Sequence, residues 1–398
     1  MMGFLKIEKV ARDVAICNFF LMFGYKLFSV FYSLFLLEKG FSLPEIGYNY
    51  LFIYFSIAIF ALIVGFLNHK INPAILMSCG ILGYGIYALG MIFIEPGVFF
   101  YLFQVLLGIS AALFFASSRA ILTGSNLKNY DKAYGFFYST PIYAAAFAPA
   151  IGALIISQFN FSSVFIFSLI IHVLTAIFCF LRLRGETKNL VDDNFKLKQL
   201  EENYKKVFGN LKSRNVSVPT AVSFAVILVS GFYFAFFVVF LKDLGWVQNK
   251  ILFLESVFSF VFLPFSIFLI NKIGKQKSVN NVLRGGFFSG VFTLLIGVLA
   301  IFSNFALIVF LMTGRSAGTL MCGSGRSSII SKNFREKPEE AGAIDTIFNP
   351  LGIALGSLLG GFIAVSFGFS YLFIGGGIFV ILVVSLSRVL LKDKIKFY

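Results

Sequence analysis

Runs of about twenty apolar residues, each long enough to cross a bilayer core as a helix, recur along the chain between short polar stretches. Twelve are read, roughly at 13–37, 45–67, 73–94, 97–118, 133–157, 161–181, 217–241, 248–270, 279–302, 304–327, 341–366 and 369–390. The one long polar stretch is 182–216, between the sixth and seventh runs. Within it Leu197, Leu200, Tyr204, Val207, Phe208 and Leu211 recur at three- and four-residue spacing, with Glu201, Glu202, Lys205, Lys206 and Lys212 on the other face. That pattern predicts an amphipathic helix lying against the membrane or the bundle. The expected architecture is an all-α membrane protein. A six-helix bundle over 1–181 and a linker over 182–216 are followed by a second six-helix bundle over 217–398.

Composition excludes the main alternatives. Of 398 residues, 59% are hydrophobic and 13% charged, where a soluble domain carries about 25% charged residues. Disorder needs low hydrophobicity and is excluded as well. A net charge of +15 would suggest nucleic acid in a soluble protein, but here the placement of the charge decides. With the N-terminus in the cytoplasm, 28 of the 33 Lys+Arg fall in the tails, loops and adjoining span ends of that side. Lys39, Lys242 and Lys250 fall in the loops and span ends of the other side, and Lys26 and Arg315 lie deep inside spans. This bias predicts both termini inside, with the lipid bilayer as partner, no nucleic acid, and a bacterial inner (plasma) membrane as the location. Cys17, Cys79, Cys179 and Cys322 lie in apolar stretches without metal-ligand spacing, and are read as core residues. The first apolar run is too long for a cleaved signal and is expected to remain as a span.

Six spans, a linker and six spans suggest a duplicated unit. His69-Lys70-Ile71 after the second span faces Asn271-Lys272-Ile273 after the eighth, and Ser117-Ser118-Arg119 faces Ser324-Gly325-Arg326. The fifth span carries Gly135, Ala144, Ala148, Pro149, Gly152 and Ala153. The eleventh carries Ala343, Gly352, Gly356, Ser357, Gly360 and Gly361 at the same spacing. Small residues every four positions let helices approach closely. Their recurrence points to two halves related by an axis along the membrane normal.

With these residues in place the whole chain resembles the twelve-span transporters of the major facilitator superfamily, and among them the drug/proton antiporter-like branches. Gly135, Ala144, Ala148, Pro149, Gly152 and Ala153 keep the spacing of the antiporter motif G-x(8)-G-x(3)-G-P-x(2)-G-G, with Ala for three glycines. The cytoplasmic-loop motif G-x(3)-D-[RK]-x-G-[RK]-[RK] is degenerate at Gly65, His69, Lys70, Asn72 and Pro73. Its second copy reads Asn271, Lys272, Ile273, Gly274, Lys275 and Gln276. Both copies lack the acid that the resemblance implies for a charge relay locking the cytoplasmic side. Asp345 is the candidate substitute, with Arg119 and Arg326 as candidate partners. The span-four motif is matched at Gln104, Gly108, Ser110, Ala111 and Ala112. Gln104 stands where the family has the Arg linked to proton transfer.

The resemblance implies that spans 1, 4, 7 and 10 line a central cavity. Ionisable groups at membrane depth are functional candidates by default. Lys26 lies mid-span one and Arg315 mid-span ten, each about 16–20 Å from a helix end at 1.5 Å per residue. One reading makes the two cations a clamp for a small organic anion or zwitterion. A second pairs one of them, Arg315 first, with Glu255, which lies roughly 10 Å into span eight, and a third is a switch that mixes the two. Asn18, Tyr25, Tyr32, Gln104 and Tyr233 are candidate hydrogen-bonding partners of a solute, and each is equally readable as interhelical packing. His172 reads as a core histidine, and Pro141, Pro149, Pro264 and Pro350 as kinks. The 55 Phe read first as lipid-facing and core filler, and second as the lining of an aromatic cavity.

The expected function is secondary transport of a small solute by alternating access, as an exporter or antiporter, with protons as a candidate coupling ion and a monomeric chain. An uptake symporter for an organic anion is the runner-up, and a lipid flippase or membrane sensor is the alternative of another class. No cofactor or metal is expected. No nucleophile–base set or phosphate loop suggests an enzyme.

Overall fold

The computed structural model describes residues 7–29, 32–41, 43–187, 212–302 and 304–395, with positions 199, 202, 203, 205 and 209 between. Every described element is helical. The first half comprises α1 (Lys9–Ser29), α2 (Tyr32–Glu38), α3 (Leu43–Lys70), α4 (Pro73–Met91), α5 (Val98–Gly124), α6 (Tyr130–Gln158) and α7 (Phe161–Leu183). The second comprises α8 (Arg214–Asp243), α9 (Gln248–Ile273), α10 (Ser278–Leu299), α11 (Phe305–Asn333), α12 (Pro338–Phe367) and α13 (Phe369–Ile395), with a 3₁₀ turn at Ala300–Phe302 after α10. Eleven of these, α3 to α13, are long and apolar enough to cross a membrane. With Lys9, Arg12, Asp13 and Lys26, α1 is more charged, and the first span read from the sequence, 13–37, falls on α1 and α2.

Several helices run beyond the apolar stretches that predict them. The tenth span is apolar over 304–327, yet α11 continues to Asn333. Backbone hydrogen bonding carries a helix past the edge of the hydrocarbon wherever no breaker intervenes. Where the chain does stop, the cause is local. The Asn72 side chain accepts from Ala74 N at 2.9 Å, and Pro73 at the first helical position opens α4. Asn160 likewise caps α7 through Ser163 N. Gly368, at φ 86°, makes the one-residue reversal from α12 to α13, a conformation only glycine adopts without strain.

The duplication is visible in the packing. In the first half α4 lies on α5, α5 on α3, α4 on α7 and α7 on α1. In the second half α10 lies on α11, α11 on α9, α10 on α13 and α13 on α8. Each contact has its counterpart. The small-residue stripes mark the closest approaches. A Cβ on Gly152 would lie 1.9 Å from the carbonyl oxygen of Leu27, and one on Gly356 would lie 1.9 Å from that of Leu228. Thus α6 meets α1, and α12 meets α8, main chain against main chain. Ala144 and Ala148, where the antiporter pattern has glycine, are fully buried. Gly135 faces the Ile270 side chain. Pro141 and Pro149 lie inside α6, and Pro350 inside α12.

Two compact units emerge. One comprises Met1–Lys128, Thr140–Lys205 and Phe334–Pro350, the other Asn129–Ser139, Lys206–Asn333 and Leu351–Tyr398. They follow the two six-helix sets except at the first turns of α6 and α12, which are exchanged. Most of the predicted linker helix, including Leu197, Leu200, Glu201, Tyr204, Lys206, Val207, Phe208 and Leu211, lies outside the described residues.

Candidate functional site

In the second unit, Arg315 sits in the middle of α11 and is 5% exposed. Its Nη2 donates to Ser230 Oγ at 2.9 Å, and its guanidinium lies 3.9 Å from the centre of the Tyr233 ring. Ser230 and Tyr233 are on α8, three residues apart, so one helix face presents both. The ring in turn stacks on Phe237 at 4.3 Å. Arg315 Nε has no hydrogen-bond partner, and no described carboxylate pairs with the group. The side chain of Glu255, the partner considered from sequence, lies outside the described residues. The result is a desolvated, fork-shaped cation held from one side by a hydroxyl and an aromatic face. Such a group binds a carboxylate or phosphate bidentately.

In the first unit, Lys26 stands in the last turn of α1 and is half-buried. Tyr25, beside it, meets Phe28 and Tyr84 edge-on. Gln104 is fully buried. Its Nε2 donates to Tyr32 OH and to the Phe100 carbonyl, both at 3.2 Å, and its Oε1 accepts from Tyr87 OH at 3.2 Å. Tyr87 OH also bonds Tyr32 OH at 2.8 Å. The three side chains close a knot that ties α2, α4 and α5 together. Asn18 is buried as well. His172 is buried between the carbonyls of Ser168, 2.7 Å from Nδ1, and Leu21, 3.2 Å from Nε2.

Within each unit, charges also gather at helix ends. In the first unit Arg119 Nε donates to Asp345 Oδ2 at 2.9 Å, and its Nη1 to Thr346 Oγ1 and the Phe115 carbonyl. Nearby, His69 Nε2 lies 2.9 Å from Glu340 Oε1, which also accepts from Asn203 Nδ2 at 2.7 Å. Glu339 Oε2 is 3.9 Å from His69 Nδ1. In the second unit Asp131 is 3% exposed and accepts from Ser278, Asn281, Ser328 and Lys332. Arg326, fully buried, donates to Tyr138 OH at 3.2 Å. Asn271 turns back onto the Ile267 carbonyl, Lys272 and Lys275 are exposed, and the Gly274 carbonyl accepts from Asn129.

Asp131, Lys332, Glu339, Glu340 and Ser230 are not among the residues that sequence reasoning selects. A signal exists for two of them. The 208-residue offset that superposes the fifth and eleventh spans also carries Asp131 onto Glu339. Both lie in the first turn of their helix, where the helix dipole favours a carboxylate. His69, Glu339 and Glu340 bring one potential ligand atom each to within 4.8 Å of one another. His69 Nε2 and Glu340 Oε1 face each other at hydrogen-bond distance, 2.9 Å.

A model of the family described as Major Facilitator Superfamily matches residues 14–283. No curated protein matches the chain. Among solved structures, the human organic anion transporter MFSD10 (TETRAN) is similar, with a TM-score of 0.75 at 14% identity, covering 95% of this chain and 99% of its own. The proton:xylose symporter XylE, bound to 6-bromo-6-deoxy-D-glucose, gives a TM-score of 0.66 at 11% identity, covering 97% of this chain and 95% of its own.

Proposed function

Because the chain belongs to the Major Facilitator Superfamily, a superfamily of secondary transporters, we propose that it moves a small organic anion across a bacterial inner membrane by alternating access. Arg315 is the group that contacts the anion. The carrying observation is its burial at membrane depth without a described acidic partner and with Nε unbonded. A cation there costs about 2.5–3.5 kcal/mol on insertion scales, and an anionic solute offsets that cost where Ser230 and Tyr233 do so only in part. A structurally similar protein, MFSD10, is an organic anion transporter, which is consistent with this reading. Lys26, at membrane depth by its place in the first span, is the second candidate on sequence grounds. Both termini are assigned to the cytoplasm from the basic-residue bias, and the chain is assigned to act as a monomer.

Export by antiport is the preferred direction, supported by the spacing of Gly135, Ala144, Ala148, Pro149 and Gly152. Uptake by symport is favoured by one observation. Gln104 replaces the arginine tied to proton antiport and is engaged by Tyr32 and Tyr87. In either direction Asp345, paired with Arg119, stands in for the acid that both copies of the cytoplasmic-loop motif lack.

Flux of labelled organic anions into proteoliposomes tests the reading, with and without a pH gradient. Arg315→Ala is expected to lower anion flux at least tenfold, with Arg315→Lys intermediate. Full flux by Arg315→Ala would remove Arg315 from the site. Flux indifferent to a pH gradient would remove proton coupling.

A further inference from the structure

The second unit carries a groove of 740 Å³ that the transport reading does not use. Its floor is α11, its walls are α9 and α10, and Arg388 of α13 closes one end. Phe268, Phe288 and Phe310 line it and are 67%, 48% and 61% exposed. A groove whose aromatic rim stands exposed at membrane depth faces hydrocarbon. From Phe310 to Met321 the floor runs about 16 Å at 1.5 Å per residue, close to the half-thickness of a hydrocarbon core of about 30 Å. Small residues, Gly314 and Ala317, give the floor its depth.

The two ends of the groove differ. Arg284 is level with Met321, because Gly285 beside it packs on the Cys322 amide. Lys272 and Arg388 line the cavity with it. Arg284 Nη1 donates to Gln276 Oε1 at 3.2 Å, and Arg388 lies over the Phe287 ring at 5.3 Å. Among the described residues none of the three cations pairs with a carboxylate, and all three are exposed. They cluster at the end where α9 finishes and α10 begins.

We propose that this groove is a binding site for an anionic glycerophospholipid. An acyl chain lies along the Phe-lined floor, and the phosphate is held by Lys272, Arg284 and Arg388. The charge complements an anionic headgroup, since Arg forks bind phosphate bidentately and basic pockets between transmembrane helices bind anionic headgroups. The length fits one leaflet. A zwitterionic lipid would bring its ammonium against three cations and is disfavoured.

Purified full-length protein is stripped of lipid in detergent and then given phosphatidylglycerol, phosphatidylcholine or inorganic phosphate. Retained lipid is counted by native mass spectrometry and thermal stability is followed in parallel. Phosphatidylglycerol is expected to be retained and to raise the Tm, and phosphatidylcholine to do neither. Each lost cation is expected to weaken retention about fivefold, so the triple variant Lys272→Gln, Arg284→Gln, Arg388→Gln should hold no phosphatidylglycerol. Ala317→Leu, which fills the floor while keeping the cations, should weaken retention, and Lys277→Gln, exposed but outside the groove, should not. Equal retention of the two lipids, or retention by the triple variant, overturns the proposal. Stabilisation by inorganic phosphate equal to that by phosphatidylglycerol overturns the acyl-chain assignment. If the triple variant fails to fold, Ala317→Leu against Lys277→Gln still decides the matter.

Discussion

Arg119 and Asp345, 226 positions apart, are joined by a 2.9 Å hydrogen-bonded ion pair in which both side chains are almost wholly buried. One ends the fourth span and the other begins the eleventh. Removing either partner strands a buried charge, which costs about 3–5 kcal/mol. Arg119→Leu and Asp345→Leu should each sharply lower thermal stability in detergent, whereas the double variant Arg119→Leu, Asp345→Leu should recover much of the loss. Additive losses in that cycle would mean that the two residues act independently.

A second prediction concerns bulk. Gly356→Val places a side chain where a Cβ already meets the Leu228 oxygen at 1.9 Å, and the overpacking should cost about 1–3 kcal/mol or more. Gly152→Val should do the same against Leu27. Gly361→Ala is the control, since its Cβ would find only the edge of Phe236 at 3.6 Å. Yield and monodispersity on gel filtration should separate the two classes.

The Gln104 knot should behave as structure. Tyr87→Phe leaves a buried amide acceptor without its donor, at about 1–3 kcal/mol. Gln104→Leu removes the amide and leaves two tyrosine hydroxyls facing each other. Both are expected to lower the Tm while the KM for solute stays within a factor of two. A KM that rises tenfold at unchanged Tm would instead place Gln104 in contact with solute.

Tyr233 should matter through its ring and not its hydroxyl. A desolvated cation–π contact is worth about 0.5–2 kcal/mol. Tyr233→Phe should preserve anion flux, and Tyr233→Leu should raise the KM about two- to thirtyfold. The reverse order would assign the role to the hydroxyl.

The spans were legible because a bilayer imposes one requirement, length of apolar helix, that composition alone satisfies or fails. The small-residue stripes of the fifth and eleventh spans were legible for a similar reason, since backbone contact admits few residue types. Arg315 stood out as a charge among apolar neighbours, but Ser230, which holds it, did not, because a serine in a span carries no such contrast. Asp131 and Glu339 sit at the polar edges of spans, where carboxylates are common. Their burial depends on α11, α10 and α3, which approach from elsewhere in the chain. The Phe-lined groove was beyond reach for the same reason, since Phe268, Phe288 and Phe310 belong to three helices and only the packing of α9 and α10 on α11 sets them side by side.

The contacts at Gly152–Leu27 and Gly356–Leu228 are made of backbone on both sides. Their geometry is therefore set by the two main chains alone, with no rotamer on either side to adjust it. What these two positions demand of the sequence is the absence of a side chain, whatever the polarity of their neighbours.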